Sequence, residues 1–181
     1  ITLLGYIIKG NAELTSSLSN GIDKLISLVI FSKDQQEQKS GLFFIDCYNL
    51  KGAKIVAESL CNNNKLINSI LPNYNEMISE NYAIYSIAYS CLISDIEYTR
   101  NIFYGKSLLN GKYFLTFCLE MISKISDSKS IILQAALKFI STIIWESTTI
   151  TNYFITTLSS FQRKDQQSSI VFLLSLCIEE G

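Results

Sequence analysis

An apolar pattern returns about every forty residues along this chain. It is plainest where Leu3-Leu4-Gly5-Tyr6-Ile7-Ile8-Lys9-Gly10-Asn11 leads into Gly21-Ile22-Asp23-Lys24-Leu25-Ile26. A closed globule has no reason to repeat its own spacing. A row of stacked helical units does, because each unit buries its apolar face only against its neighbours. Aligning the long segments on their apolar centres superposes Leu4, Ile45, Ile87, Ile140 and Leu173, at spacings of 41, 42, 53 and 33 residues. The first two spacings fit a helical repeat of about 40 to 47 residues. The third is assigned to an elongated middle helix and a Ser- and Asp-rich loop over 123–130, the last to near loss of the middle helix after Ser159. A literal echo supports the register: Lys33-Asp34-Gln35-Gln36 and Lys164-Asp165-Gln166-Gln167 each open a long segment.

The punctuation of the chain agrees. One proline and eight glycines in 181 residues are too few breakers for a many-stranded sheet, so the fold class is all-α. Apolar residues fall three and four apart, as in Leu25, Leu28 and Val29 or Ile84, Ile87, Ala88 and Cys91, which gives each helix a buried stripe. The β-branched runs 1–8 and 140–145 leave a strand reading open. Breaks are predicted at Gly10-Asn11, Asn20-Gly21, 32–34, Gly52, 62–64, Pro72-Asn73, Ser94-Asp95, Gly105, Ser126-Asp127 and Arg163-Lys164, several of them carrying the Asn, Ser or Asp of a helix cap. The helices then sort into units 11–19, 21–31 and 33–50; 51–61, 64–71 and 75–93; 95–104, 107–125 and 127–146; and an abbreviated 148–159 and 164–180.

Composition narrows the function. With 15 basic and 16 acidic residues, and no basic block among its aromatics, the chain lacks the charge footprint of a nucleic-acid binder. Zero histidines remove the commonest general base, the usual partner of a nucleophile and the commonest metal ligand together. Cys47, Cys61, Cys91, Cys118 and Cys177 are odd in number, dispersed and set among apolar residues, which predicts buried reduced thiols and an intracellular setting. No apolar run reaches the roughly 20 residues of a membrane span, so a soluble protein that meets membranes only through a partner is expected. The chain opens on Ile1 inside an apolar run, which reads as a piece of a longer protein forming one repeat domain over 1–181.

A short first helix, then Gly21-Ile22-Asp23-Lys24-Leu25-Ile26-Ser27-Leu28, then a long third helix, resembles the armadillo repeat. Ala135-Ala136-Leu137 and Ala83-Ile84 stand where that family places its small residues. Other helical repeats, HEAT units among them, and a plain helical bundle share the pattern. The resemblance implies a right-handed solenoid of about four three-helix units whose third helices line a concave groove. Carrying the register across puts Phe43 and Cys47, Tyr85 and Tyr89, and Lys138 and Thr142 at the groove positions, with Tyr6 on the shortened first helix. None of these repeats the Trp and Asn pair with which nuclear-import adaptors hold basic peptides. The segments 140–145, 149–154 and 169–177 are similar to the end of the armadillo heads of Golgi vesicle tethers, which implies a trafficking scaffold. A cofactor of an Hsp70-type chaperone is the alternative.

The candidate partner-binding residues are therefore Tyr6, Phe43, Tyr85, Tyr89, Lys138 and Thr142, and other proteins are the expected partners. Against that stands the plain alternative that these aromatics are core, since ten Tyr and ten Phe must mostly be buried. Asp46, Asp95, Glu97, Glu120 and Glu146 form no pair suited to acid and base chemistry, since Asp95 and Glu97 are two apart and do not share a helical face. No catalytic residue, cofactor or metal is predicted, and Gly105–Gly111 lacks the lysine and serine of a nucleotide loop. Apolar ends, Leu3, Leu4 and Ile7 at one and Phe172, Leu173 and Leu176 at the other, predict that the stack continues or dimerises there.

Overall fold

The computed structural model describes residues 2–63, 78–105, 113–124 and 131–161. Its elements are helices α1 (Thr2–Ile8), α2 (Ala12–Ser17), a 3-10 turn (Ser19–Gly21), α3 (Ile22–Phe31), α4 (Gln35–Asn62), α5 (Ile78–Ser94), α6 (Ile96–Gly105), α7 (Phe114–Ile122), α8 (Ile131–Ile144) and α9 (Thr148–Ser160). Residues 2–8 and 140–144 of the runs for which a strand was left open lie in α1 and α8, where burial of one helical stripe overrides the β preference of their branched side chains.

Local chemistry sets most boundaries. Asn11 caps α2 by accepting from the Leu14 amide at 3.1 Å, and Asp34 caps α4 through the amides of Gln36 and Glu37 at 2.7 and 3.1 Å. Asp95 does the same for α6 and Ser147 for α9. Gly10 supplies the left-handed φ of 74° that turns the chain between α1 and α2. At the end of α8 the left-handed residue is Glu146, with φ of 53°, and the exposed carbonyls there are closed by Arg100 from α6. Its guanidinium donates to Ile143 O at 3.0 Å, Thr142 O at 3.4 Å and Trp145 O at 2.6 Å, bringing a positive charge to the negative end of the helix dipole.

One predicted break is absent. Gly52 lies inside α4, which runs unbroken for 28 residues through what the sequence divided into 33–50 and 51–61. The glycine serves packing instead of turning. A Cβ there would stand 2.2 Å from Tyr48 Cε1 and 2.9 Å from Thr15 Cγ2, so its bare backbone is what lets the Tyr48 ring and α2 approach. Gly41, about three turns earlier, does the same for Val29 of α3. The break at Asn20-Gly21 is softer than predicted, since the 3-10 turn leads directly into α3. Those at Pro72, Ser126 and Arg163, and the alignment point Leu173, lie outside the described residues.

Helices α1, α4, α5 and α8 pack in series, α1 on α4, α4 on α5 and α5 on α8, with α2, α3, α6, α7 and α9 against them. Of the residues superposed in the sequence, Ile45, Ile87 and Ile140 sit in the core, one on each of α4, α5 and α8. Leu4 does not: it is 45 % exposed, because α1 buries only Gly5 and Ile8. Helix α5 touches α3, α4, α6 and α8 and is apolar on nearly every side, which is why it occupies the middle. Around it the rings of Tyr85, Phe139, Phe103 and Phe114 meet in sequence at 6.0, 6.1 and 4.4 Å, tying α5, α8, α6 and α7 together. Four of the five cysteines, Cys47, Cys61, Cys91 and Cys118, are buried free thiols; Cys177 lies outside the described residues. No described helix is long and apolar enough to cross a membrane.

Candidate functional site

Where α4, α5 and α8 lie side by side, their outer face is a groove of about 620 Å³. Helical spacing presents one stripe from each wall: Leu42, Phe43, Asp46, Cys47 and Leu50 from α4, Tyr82, Ser86, Tyr89, Ser90 and Ile93 from α5, and Ile131, Gln134, Ala135 and Lys138 from α8. Lys9, just past α1, closes one side. Small residues at Ser86, Ser90 and Ala135 keep the floor low, while rings and branched chains rise around it. Three of the large apolar side chains left exposed in this fold, Leu50, Ile93 and Ile131, at 48, 61 and 54 %, converge on this one groove.

The floor is polar and ordered. Asn49, buried under the groove, donates to Ser90 Oγ at 2.9 Å, and the Ser90 hydroxyl bonds the Asp46 carboxylate. Loss of water around Asp46 pushes its carboxyl above the ordinary range, and the Ser90 bond acts against that. Burial likewise pushes the Cys47 thiol up; nearby Lys9 favours the thiolate and Asp46 opposes it. A thiol held protonated in this way is no nucleophile. Asn49 Oδ1 has no hydrogen-bond partner among the described residues.

Of the residues singled out in the sequence, Phe43, Cys47, Tyr89 and Lys138 line the groove. Tyr6 is exposed on α1 with its ring 4.9 Å from that of Phe43, which extends the groove's aromatic wall onto α1. Tyr85 belongs elsewhere. It is 0 % exposed, its hydroxyl donates to the Cys118 carbonyl at 2.6 Å, and its ring faces Phe139, so it is a core residue and not a groove residue. The register carried it one position too far round α5; Tyr82, seven residues before Tyr89 and on the same stripe, stands in the groove instead. Thr142 is spent within α8, its hydroxyl donating to the Lys138 carbonyl at 2.9 Å. Asp95 caps α6, and Glu146 occupies the left-handed turn after α8. Among the described residues no group of three or more His, Cys, Asp or Glu side chains could hold a metal ion.

A second cavity, of about 950 Å³, opens between α3 and the end of α4. Its wall alternates Asp23, Lys24, Lys33 and Glu37, and Asn63 reaches across it to Ser27 at 2.9 Å. It gathers one ring, Phe31, against three in the groove. Comparison of the chain with protein-family models, with curated proteins and with solved structures finds no match.

Proposed function

We propose that this chain is a protein-interaction module, an armadillo-like stack of helices that holds a segment of a partner protein in the groove between α4, α5 and α8. The observation that carries this reading is the convergence on one face of Phe43, Tyr82 and Tyr89 with the exposed side chains of Leu50, Ile93 and Ile131. Aromatic side chains supply contact area at low conformational cost, and contiguous exposed apolar surface is characteristic of docking sites. The serial packing of α1, α4, α5 and α8 supports the solenoid part of the reading, since such helices form one extended face. The likeness of the tail to Golgi vesicle tethers makes a trafficking scaffold our reading of the cellular role.

Selection of a random-peptide display library on the full chain tests the groove. Peptides enriched on the native protein should be lost on Ser86→Trp, which fills the floor without touching the core. Enrichment unchanged by Ser86→Trp would mean that binding occurs elsewhere. For the cellular role, a fluorescent fusion should gather at Golgi membranes, and a diffuse distribution that ignores Golgi dispersal would remove it.

A further inference from the structure

The charges around the groove specify what lies in it, provided the groove is the docking site proposed above. Two cations stand on opposite walls, Lys9 beside the α1 and α4 wall and Lys138 on α8, and both are exposed. No ion pair engages either lysine among the described residues. The one carboxylate lining the groove, Asp46, stands on the α4 wall and is bonded by Ser90. The two lysines thus outnumber the single carboxylate, and between their walls lie Tyr82, Tyr89 and Ile93 of α5.

From this we infer that the groove takes a short extended peptide segment with an acidic residue at each end and apolar residues between. Its carboxylates pair with Lys9 and Lys138, and its centre covers Tyr82, Tyr89 and Leu50. The polar groups across the floor and rim, Ser86, Ser90, Gln134 and the two tyrosines, suit an extended backbone, whose amides and carbonyls need partners; a helix satisfies its own. Length follows from geometry. Crossing from α4 over α5 to α8 takes two interhelical steps, about 20 Å in all, which an extended chain covers in about six residues.

Fluorescence anisotropy with two labelled peptides decides the matter. One carries Asp at each end of a Leu-Ser-Leu-Ala centre, and its twin carries Lys at both ends. Exposed pairs are individually weak, so exchanging two attractions for two repulsions should separate the affinities by about tenfold at low salt, with the gap shrinking as salt is added. Lys9→Glu/Lys138→Glu changes two surface residues and should invert the preference; unaltered helix circular dichroism would show that it folds. Equal binding of the twins, or preference for the Lys peptide by the native chain, overturns the charge rule. If that binding also disappears in Ser86→Trp, the groove stands as the docking site while its acidic specificity falls. If neither peptide binds, the inference falls, and the display selection on Ser86→Trp decides separately whether the groove binds anything.

Discussion

Gly52→Ala is the sharpest test of how the stack is held together. In most helix interiors this substitution is stabilising by about 1 kcal/mol, because alanine gives up less backbone freedom on folding. At Gly52 the added methyl meets Tyr48 Cε1 at 2.2 Å, Tyr48 Cδ1 at 2.6 Å and Thr15 Cγ2 at 2.9 Å. The Tyr48 ring cannot swing clear, since it is fully buried with Phe44 alongside, and Thr15 is fixed on α2 by its own bond to the Asn11 carbonyl. Overpacking of this kind costs about 1 to 3 kcal/mol, so the helix gain is cancelled or outweighed, for a net loss of about 0 to 2 kcal/mol. Urea unfolding followed by helix circular dichroism measures it, with Gly105→Ala as the control, where nothing among the described residues lies within 4 Å of the added methyl. The control should be neutral or stabilising by about 0.5 kcal/mol. Tyr48→Leu, which removes the obstructing ring, should cost about 1 kcal/mol less in the Gly52→Ala background than in the native chain. A Gly52→Ala protein stabilised by about 1 kcal/mol, as an unobstructed helix interior would give, would refute the close approach of Tyr48 and α2 to Gly52.

Arg100→Ala should destabilise by about 2 kcal/mol through loss of charged hydrogen bonds to the end of α8, and Arg100→Lys should recover little because one ammonium cannot serve the Ile143 and Trp145 carbonyls together; denaturant midpoints check both. Tyr85→Phe should cost about 1 kcal/mol by stranding the Cys118 carbonyl, yet leave peptide binding unchanged, whereas Tyr89→Ala should weaken binding and spare stability. Burial raises the thiols of Cys91 and Cys118, so above about pH 8.5 the unfolded chain releases protons that the folded chain keeps. Stability should be undiminished by these thiols below that pH and fall above it, by at most about 1.4 kcal/mol per pH unit for each; Cys91→Ala should flatten the slope.

The sequence made the helices legible wherever a capping residue stood before an apolar stripe, as Asn11, Asp34, Asp95 and Ser147 do. It misplaced Gly52, because a glycine that opens a turn and one that admits a neighbouring ring look alike in one dimension. Tyr85 and Tyr82 show the same limit at the site. Both lie on α5 three residues apart, and only the position of α7, whose Cys118 carbonyl takes the Tyr85 hydroxyl, decides which of them is enclosed. Leu4 fitted the repeat by spacing, but α1 has a neighbour on one flank alone among the described residues, so half its apolar stripe stays open. Lys138 was found by register; Lys9, at the end of a short helix, follows no period and emerges only from the packing of α1 on α4.

The unbroken course of α4 has a mechanical consequence. At about 1.5 Å per residue it is a rod about 42 Å long, pinned near one end by Tyr6 and Val29, at mid-length by Ser90, and towards the other by Tyr98, whose hydroxyl meets Glu58 at 2.7 Å with Lys54 over its ring. Where neighbouring units are joined by a turn, each can tilt a little by itself and the curvature of the array can breathe. Here one beam runs from the contact with α1 to the contact with α6, so a push against α1 arrives at α6 as leverage and is not absorbed in a joint. The wall of the groove that α4 forms should keep its shape whether the groove is empty or filled, and a partner segment must conform to it.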